Sequence, residues 1–119
     1  KRASDPTCRP FELVTCDVFV TEATFALPVF RHERGEDEAR RLVQSIARNP
    51  ERTHLLGVYG LGKCQRMIAL VRQQGYHDPI WLHGALVGLT ALFQELGIDL
   101  GDCRPARWRR ASSGRFGPC

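Results

Sequence analysis

The residues best placed to do chemistry include a glycine-rich turn that runs from Gly57 to Lys63 and is followed by Cys64. The segment matches the phosphate-binding pattern GxxxxGK between a predicted strand and a predicted helix. Cys64 stands where that loop needs a hydroxyl for Mg²⁺, which prefers hard oxygen ligands. A simpler role does not require Mg²⁺. Gly60 and Gly62 permit a sharp turn, and the helix N-terminus together with Lys63 can bind one phosphate of a nucleic-acid backbone. Alternatively, the glycines only form the turn and Lys63 is solvated.

Two further candidates follow predicted strands. Glu22 comes after the apolar run 18–20 and can orient a histidine or take part in proton transfer, unless it simply points to solvent. His83 follows Pro-Ile-Trp-Leu and can contact a substrate or form a local hydrogen bond. The four histidines form no HxH, HxxxH or HxxE pair, so the ligand spacing of a catalytic zinc site is missing.

The elements that must position these residues follow the order βαβαβα. Strands are predicted over 17–22, 54–59 and 79–83. Helices are predicted from Glu36 to the Asn49-Pro50 stop, from Lys63 to Gln74, and over about 85–96. This alternation predicts an α/β fold with a partial parallel sheet and flanking helices. Ligands of such sheets gather at the carboxyl ends of the strands, where the three candidates lie.

Composition adds little about partners. The net charge of +4 comes from residues 104–119, which hold five arginines and no acid, while residues 1–103 hold 12 basic and 13 acidic side chains. No apolar run approaches the roughly 20 residues of a membrane span, so we expect no membrane. Five irregularly spaced cysteines without a CxxC pair are typical of reduced thiols, and we expect a cytoplasmic protein.

Four segments in register resemble one family, the ligase-associated DNA exonucleases of bacteria. These are metallo-β-lactamase-fold proteins with a β-CASP insertion, some of them described as mRNA 3′-end processing factors. The resemblance spans about residues 1–105 and rests on Asp5 to Phe11, Phe19 to Phe25 with Leu27 to Phe30, Tyr59 to Arg66, and Ile80 to Gly84.

The resemblance implies a domain division and a chemistry. Residues 1–30 would be the end piece of the metallo-β-lactamase domain, 31–105 part of the β-CASP domain, and 106–119 a disordered or aberrant tail, through a shifted reading frame or a gene-fragment end. The parent protein would use two divalent metal ions, expected to be zinc, to hydrolyse phosphodiesters. Their ligands would lie upstream of Lys1 and downstream of residue 119, so this fragment would bind none and be inactive alone.

The resemblance also assigns residues and partners. Glu22 matches the acidic catalytic motif A, and Lys63 with the loop before it matches a region of the cap near the cleft. That Gly60, Gly62, Lys63 and His83 bind nucleic acid is our inference from the helix start and the strand end, and not part of the resemblance. The partner would be single-stranded or frayed DNA, with RNA as an alternative, near an ATP-dependent DNA ligase. Ala26 departs from the family, which usually has Gly there. The rival hypotheses are a non-catalytic nucleotide or nucleic-acid binding module built on Gly57–Lys63, and a fragment that folds poorly and has no function.

Overall fold

The chain has an α/β fold, described by a computed structural model over residues 5–10, 12–22, 29 and 33–107. Within these residues lie three helices and a two-stranded parallel sheet, so the predicted α/β class is confirmed. The elements are α1 Gly35–Arg48, α2 Lys63–Gln73, β1 Ile80–Leu82, α3 Gly84–Glu95 and β2 Cys103–Pro105. Over the same part of the chain, no helix combines the length and apolar character needed to cross a membrane.

The sheet is built by a single crossover, in which α3 connects β1 to β2. Trp81 pairs with Arg104 in the parallel register, between the outer pairs of the three-residue ladder. The pairing extends one residue further, because the N–H of Ala106 donates to the carbonyl of Leu82 at 2.7 Å. Residues 108–119, most of the predicted tail, lie outside the described residues.

The prediction of three strands needs correction. Neither 17–22 nor 54–59 forms a strand in the structure, although their β-branched and aromatic residues favour one. A strand needs a neighbour to satisfy its N–H and C=O groups, and neither segment is paired in the sheet. All residues of 12–22 are exposed, whereas Val58 packs against the core without joining the ladder. The second strand, Cys103–Pro105, was not predicted because three residues ending in proline carry too short a pattern.

Helix α2 lies at the centre of the fold and buries two sides. One side packs against α3 and the sheet, in a cluster formed by Cys64, Ile68, Ala69, Leu82 and Leu100. The other side packs against α1, in a cluster formed by Ala39, Leu70 and Val71. The apolar side of α1 faces this second cluster: Ala39 is fully buried, and Leu42 and Val43 pack against the cluster. Two-sided burial explains why α2 holds more buried residues than a single amphipathic stripe predicts.

Arg72, in the last turn of α2, ties the loops around the sheet together. Its guanidinium donates to four main-chain carbonyls at 2.8–3.0 Å, which belong to Tyr76, Asp78, Leu100 and Asp102. A planar fork of donors suits this task better than an ammonium, because several carbonyls can be reached in fixed directions. These four hydrogen bonds fix the loop before β1 relative to the loop before β2, and they thereby support the register of the sheet.

Candidate functional site

The glycine-rich turn ends in a left-handed residue that begins α2. Gly62 has a φ of 77°, a conformation that favours glycine, and it is the N-terminal cap residue of the helix. The first two N–H groups of the helix are already used within the turn. Lys63 N–H donates to Leu61 O at 3.0 Å, and Cys64 N–H donates to Tyr59 O at 3.1 Å. These two donors are therefore not directed at a bound phosphate.

A buried glutamine fixes the same turn from inside. Gln65 is completely buried, and its Oε1 accepts the N–H of Gly62 at 2.9 Å. Its Nε2 donates to the hydroxyl of Thr90 on α3 at 3.3 Å. Our sequence analysis missed Gln65, although a glutamine three residues after the cap position is a known signal for a helix start. The pair of hydrogen bonds connects the turn to α3 through the buried side chain of Gln65.

The cation of the turn lies on an aromatic ring. Lys63 Nζ lies 5.2 Å from the centroid of the Tyr59 ring, within the range of a cation–π contact. Tyr59 is 77% exposed, so most of its ring surface is accessible beside the ammonium. The turn thus presents an aromatic surface and a positive charge to solvent, rather than an array of free backbone N–H groups.

The turn meets the first half of α3, the helix that begins after His83. A Cβ built on Gly60 would lie 3.2 Å from Leu86 Cδ2 and 3.7 Å from Leu89 Cδ1, so the backbone of the turn packs closely on that helix. His83 is exposed and caps α3, because its Nδ1 accepts the N–H of Ala85 at 3.2 Å. The local hydrogen bond that we considered for His83 is therefore present. The structure brings the turn and His83 to one helix, and their binding of nucleic acid remains a prediction.

Glu22 has a different setting. It lies in the exposed, irregular segment 12–22, and the strand at whose end it was expected does not form. The hydroxyl of Thr21 donates to the main-chain carbonyl of Glu22 at 3.2 Å. Glu22 is therefore part of neither the turn before α2 nor the start of α3. Its catalytic role stays a prediction that rests on the resemblance alone.

Metal ligation and thiol chemistry are the remaining possibilities at the site. Among the described residues, no group of three His, Cys, Asp or Glu side chains could hold a metal ion, so the two ions that the resemblance implies do not fit these residues. Cys64 and Cys103 are free thiols of the core. Burial raises the pKa of Cys64, and the neighbouring Cys103 adds to the rise. Burial likewise raises the pKa of Cys103, against the opposing charge of Arg72. Both thiols are poor nucleophiles in this state.

The face of the sheet opposite to the helices carries a second aromatic residue with a cation. The guanidinium of Arg104 lies 5.8 Å from the centroid of the Trp81 ring, and Trp81 is 61% exposed. Asp102 holds the guanidinium, accepting from Nε at 3.0 and 3.1 Å and from Nη2 at 2.6 Å. These hydrogen bonds lower the pKa of Asp102 and raise that of Arg104. Strand alternation could have indicated the exposure of Trp81, since its neighbours Ile80 and Leu82 pack inward.

Comparison with known proteins does not assign the chain to a class. No family model, no curated protein and no solved structure matches it.

Proposed function

We propose that this chain supplies nucleic-acid-binding surface to a metal-dependent nuclease with a metallo-β-lactamase fold and a β-CASP insertion. The four segments that resemble the ligase-associated DNA exonucleases support this assignment. The observation that carries the binding role is the exposed Tyr59 ring with the Lys63 ammonium 5.2 Å from its centroid. Proteins that bind single strands combine stacked aromatic side chains with cations that track the backbone.

The geometry of the turn favours strand binding over the rival nucleotide-binding module. A nucleotide loop cradles phosphates with consecutive backbone N–H groups. In this turn, the N–H groups of Lys63 and Cys64 are bonded to carbonyls of Leu61 and Tyr59. The ammonium of Lys63 is then the group that contacts a phosphate, while the ring of Tyr59 accepts a base.

The described residues supply binding and not the metal chemistry. In the proposed parent protein, the metal ions would activate water and stabilise charge on the phosphate. Glu22 would support a histidine or a proton transfer there, and an ATP-dependent ligase would act on the same DNA ends. Single-stranded or frayed DNA is the proposed substrate, and the compartment is the cytoplasm.

Strand binding is tested by titrating the 119-residue chain into a fluorescein-labelled oligothymidylate and following anisotropy. Lys63→Gln should weaken binding and reduce the slope of log affinity against log salt by about 0.7, the value for one phosphate contact on a single strand. Tyr59→Leu should weaken binding with little change in slope. The matched control is Arg41→Gln, which removes an exposed cation that is paired with Glu38 at 2.6 Å on α1.

Two results would overturn the binding role. One is equal affinity for the Lys63→Gln and Arg41→Gln variants. The other is tight ATP binding that depends on Lys63, which would support the nucleotide module instead. An oligouridylate bound much more tightly than the oligothymidylate would change the substrate from DNA to RNA.

The nuclease assignment needs its own test, since binding alone does not establish hydrolysis. The resemblance places an HxHxDH cluster upstream in the same frame, which sequencing of the coding locus would reveal. If the cluster is present, Glu22→Gln in the longer protein should abolish zinc-dependent cleavage and leave strand affinity unchanged. A locus with no such cluster in any frame would overturn the nuclease assignment and leave the binding role standing.

A further inference from the structure

Trp81 lies on the face of the sheet opposite to the three described helices. Parallel sheets are normally covered on both faces. Here the inward neighbours Ile80 and Leu82 pack against the core, whereas Trp81 is 61% exposed. The exposed indole offers a flat, rigid apolar surface on which a ligand can pack, with its N–H at the edge.

The indole borders an open groove whose lining suits a flat, polar ligand. The groove has a volume of about 610 Å³ and is lined by Trp81, Arg104, Pro105, Ala106 and Arg107. Its apolar surface comes from the indole, the proline and the alanine, and its polar edge comes from two guanidinium groups. This mixture of a stacking surface and cations is typical of sites for single-stranded nucleic acid.

The two arginines have different environments. Arg104 is ion-paired with Asp102 at 2.6 Å, so its guanidinium is held beside the indole and its charge already has a partner. Arg107 is exposed, and no described carboxylate lies within ion-pair distance of it. Arg107 is therefore the cation of the groove that is available to a phosphate, while the carboxylate of Asp102 remains occupied by Arg104.

We propose that Trp81 stacks a nucleobase of a bound single strand and that Arg107 contacts an adjacent phosphate. The proposal rests on the proposed function, in that it assumes a strand bound by this chain, and it adds a second stacking platform to Tyr59. The substrate class follows from the chemistry: unpaired nucleotides present their faces to an indole, whereas bases inside a duplex are already stacked on their neighbours.

The test uses the intrinsic fluorescence of Trp81 in the full chain. The chain has two tryptophans, so Trp108→Phe leaves Trp81 as the only indole. Oligothymidylate should quench its emission, and an abasic oligonucleotide of the same length should not. Trp81→Leu should weaken oligothymidylate binding by at least about fivefold, the lower end for one base stacked on an aromatic side chain, and leave abasic binding unchanged. Arg107→Gln should weaken binding of both oligonucleotides.

Each alternative outcome is distinguishable. Binding that depends on Lys63 but leaves Trp81 unquenched, with Trp81→Leu equal to the parent chain, would overturn this inference and keep the proposed function. Absence of any oligonucleotide binding would overturn both. A dimer that sedimentation detects without nucleic acid, and that Trp81→Leu disperses, would show that a second copy covers the face and would overturn the stacking role. If Trp81→Leu does not fold by circular dichroism, quenching in the Trp108→Phe chain and the affinity of Trp81→Phe decide the question.

Discussion

The backbone of Gly101 lies directly against the side chain of Arg72. A Cβ built on Gly101 would stand 2.6 Å from Arg72 Nε and 3.1 Å from its Cζ. Gly101 also has a φ of 62°, in the left-handed region. The arginine can reach the carbonyls of Leu100 and Asp102, on either side of Gly101, because the residue between them has no side chain.

Gly101→Ala should therefore destabilise the fold through two effects. The left-handed conformation costs an alanine about 1 kcal/mol, and the methyl group displaces the guanidinium from its carbonyl acceptors. We expect the free energy of unfolding in urea to fall by about 3 kcal/mol, since hydrogen bonds to a charged group are worth more than neutral ones. Gly97→Ala is the matched control, because Gly97 has a φ of 86° with nothing within 4 Å of its added Cβ. Equal losses in the two variants would show that contact with Arg72 contributes nothing.

The buried hydrogen bonds of Gln65 support the second prediction. Gln65→Leu fills a similar volume but leaves the Gly62 N–H and the Thr90 hydroxyl without their partner, which should lower the free energy of unfolding by about 2 kcal/mol. Thr90→Val should be less harmful in the Gln65→Leu background than in the parent chain, because the hydroxyl has then already lost its partner. A double-mutant cycle in urea should show a coupling of about 1 kcal/mol.

The control for this cycle is on the same helix. Gln73 is exposed in the last turn of α2, and Gln73→Leu should change the free energy of unfolding by less than about 0.5 kcal/mol. Strict additivity of Gln65→Leu and Thr90→Val would contradict the hydrogen bond that joins α2 to α3.

Helix positions were predictable from the sequence because their signals are local. The acidic first turn and the apolar spacing of α1 lie within one segment, and Gly75 and Gly97 mark the ends of α2 and α3 with φ values of 85° and 86°. Strands depend on partners that are distant in the chain. Segment 17–22 has the residue types of a strand, yet no described strand pairs with it.

The candidate site was predictable only in part, for the same reason. Lys63 and His83 could be recognised from their positions after predicted strands. The contact of Lys63 with the Tyr59 ring and the capping hydrogen bond of His83 depend on side-chain conformations, which the sequence does not give. Gln65 is polar, so its residue type predicts a surface position, although its two hydrogen bonds allow complete burial. The pairing of Trp81 with Arg104 requires the register of two strands separated by a whole helix.

The third prediction concerns the titration of Asp102, the acidic partner of the Asp102–Arg104 pair. Hydrogen bonds from Arg104 lower the pKa of Asp102 below its ordinary value of 3.8 in the folded chain. The pair therefore stabilises the fold when the pH is above the ordinary pKa of Asp102. This contribution is lost as the pH falls through the lower pKa that Asp102 has in the folded chain. Carboxyl ¹³C shifts should give a titration midpoint below 3.8 for Asp102. The indole emission of Trp81 should change over the same range, as the guanidinium is released.

Two variants isolate the cause of that shift. Arg104→Gln should return the Asp102 midpoint toward its ordinary value, since the hydrogen bonds of Arg104 are its largest cause. Arg52→Gln removes an exposed cation that pairs with Glu51 at 3.5 Å, and it should leave Asp102 unchanged. A low midpoint that persists in Arg104→Gln would assign the shift to another group, such as Arg72.

The last prediction separates the two roles of His83. His83→Ala should lower the free energy of unfolding by about 1 kcal/mol, because the N–H of Ala85 loses its cap. His83→Asn should keep that free energy within about 0.5 kcal/mol, since asparagine is among the best cap residues. If the exposed imidazole also contacts the strand, His83→Asn should weaken oligothymidylate binding about threefold, the weight of one hydrogen bond. Equal affinity for His83→Asn and the parent chain would leave His83 with the capping role alone, because the cap survives in that variant and the imidazole does not.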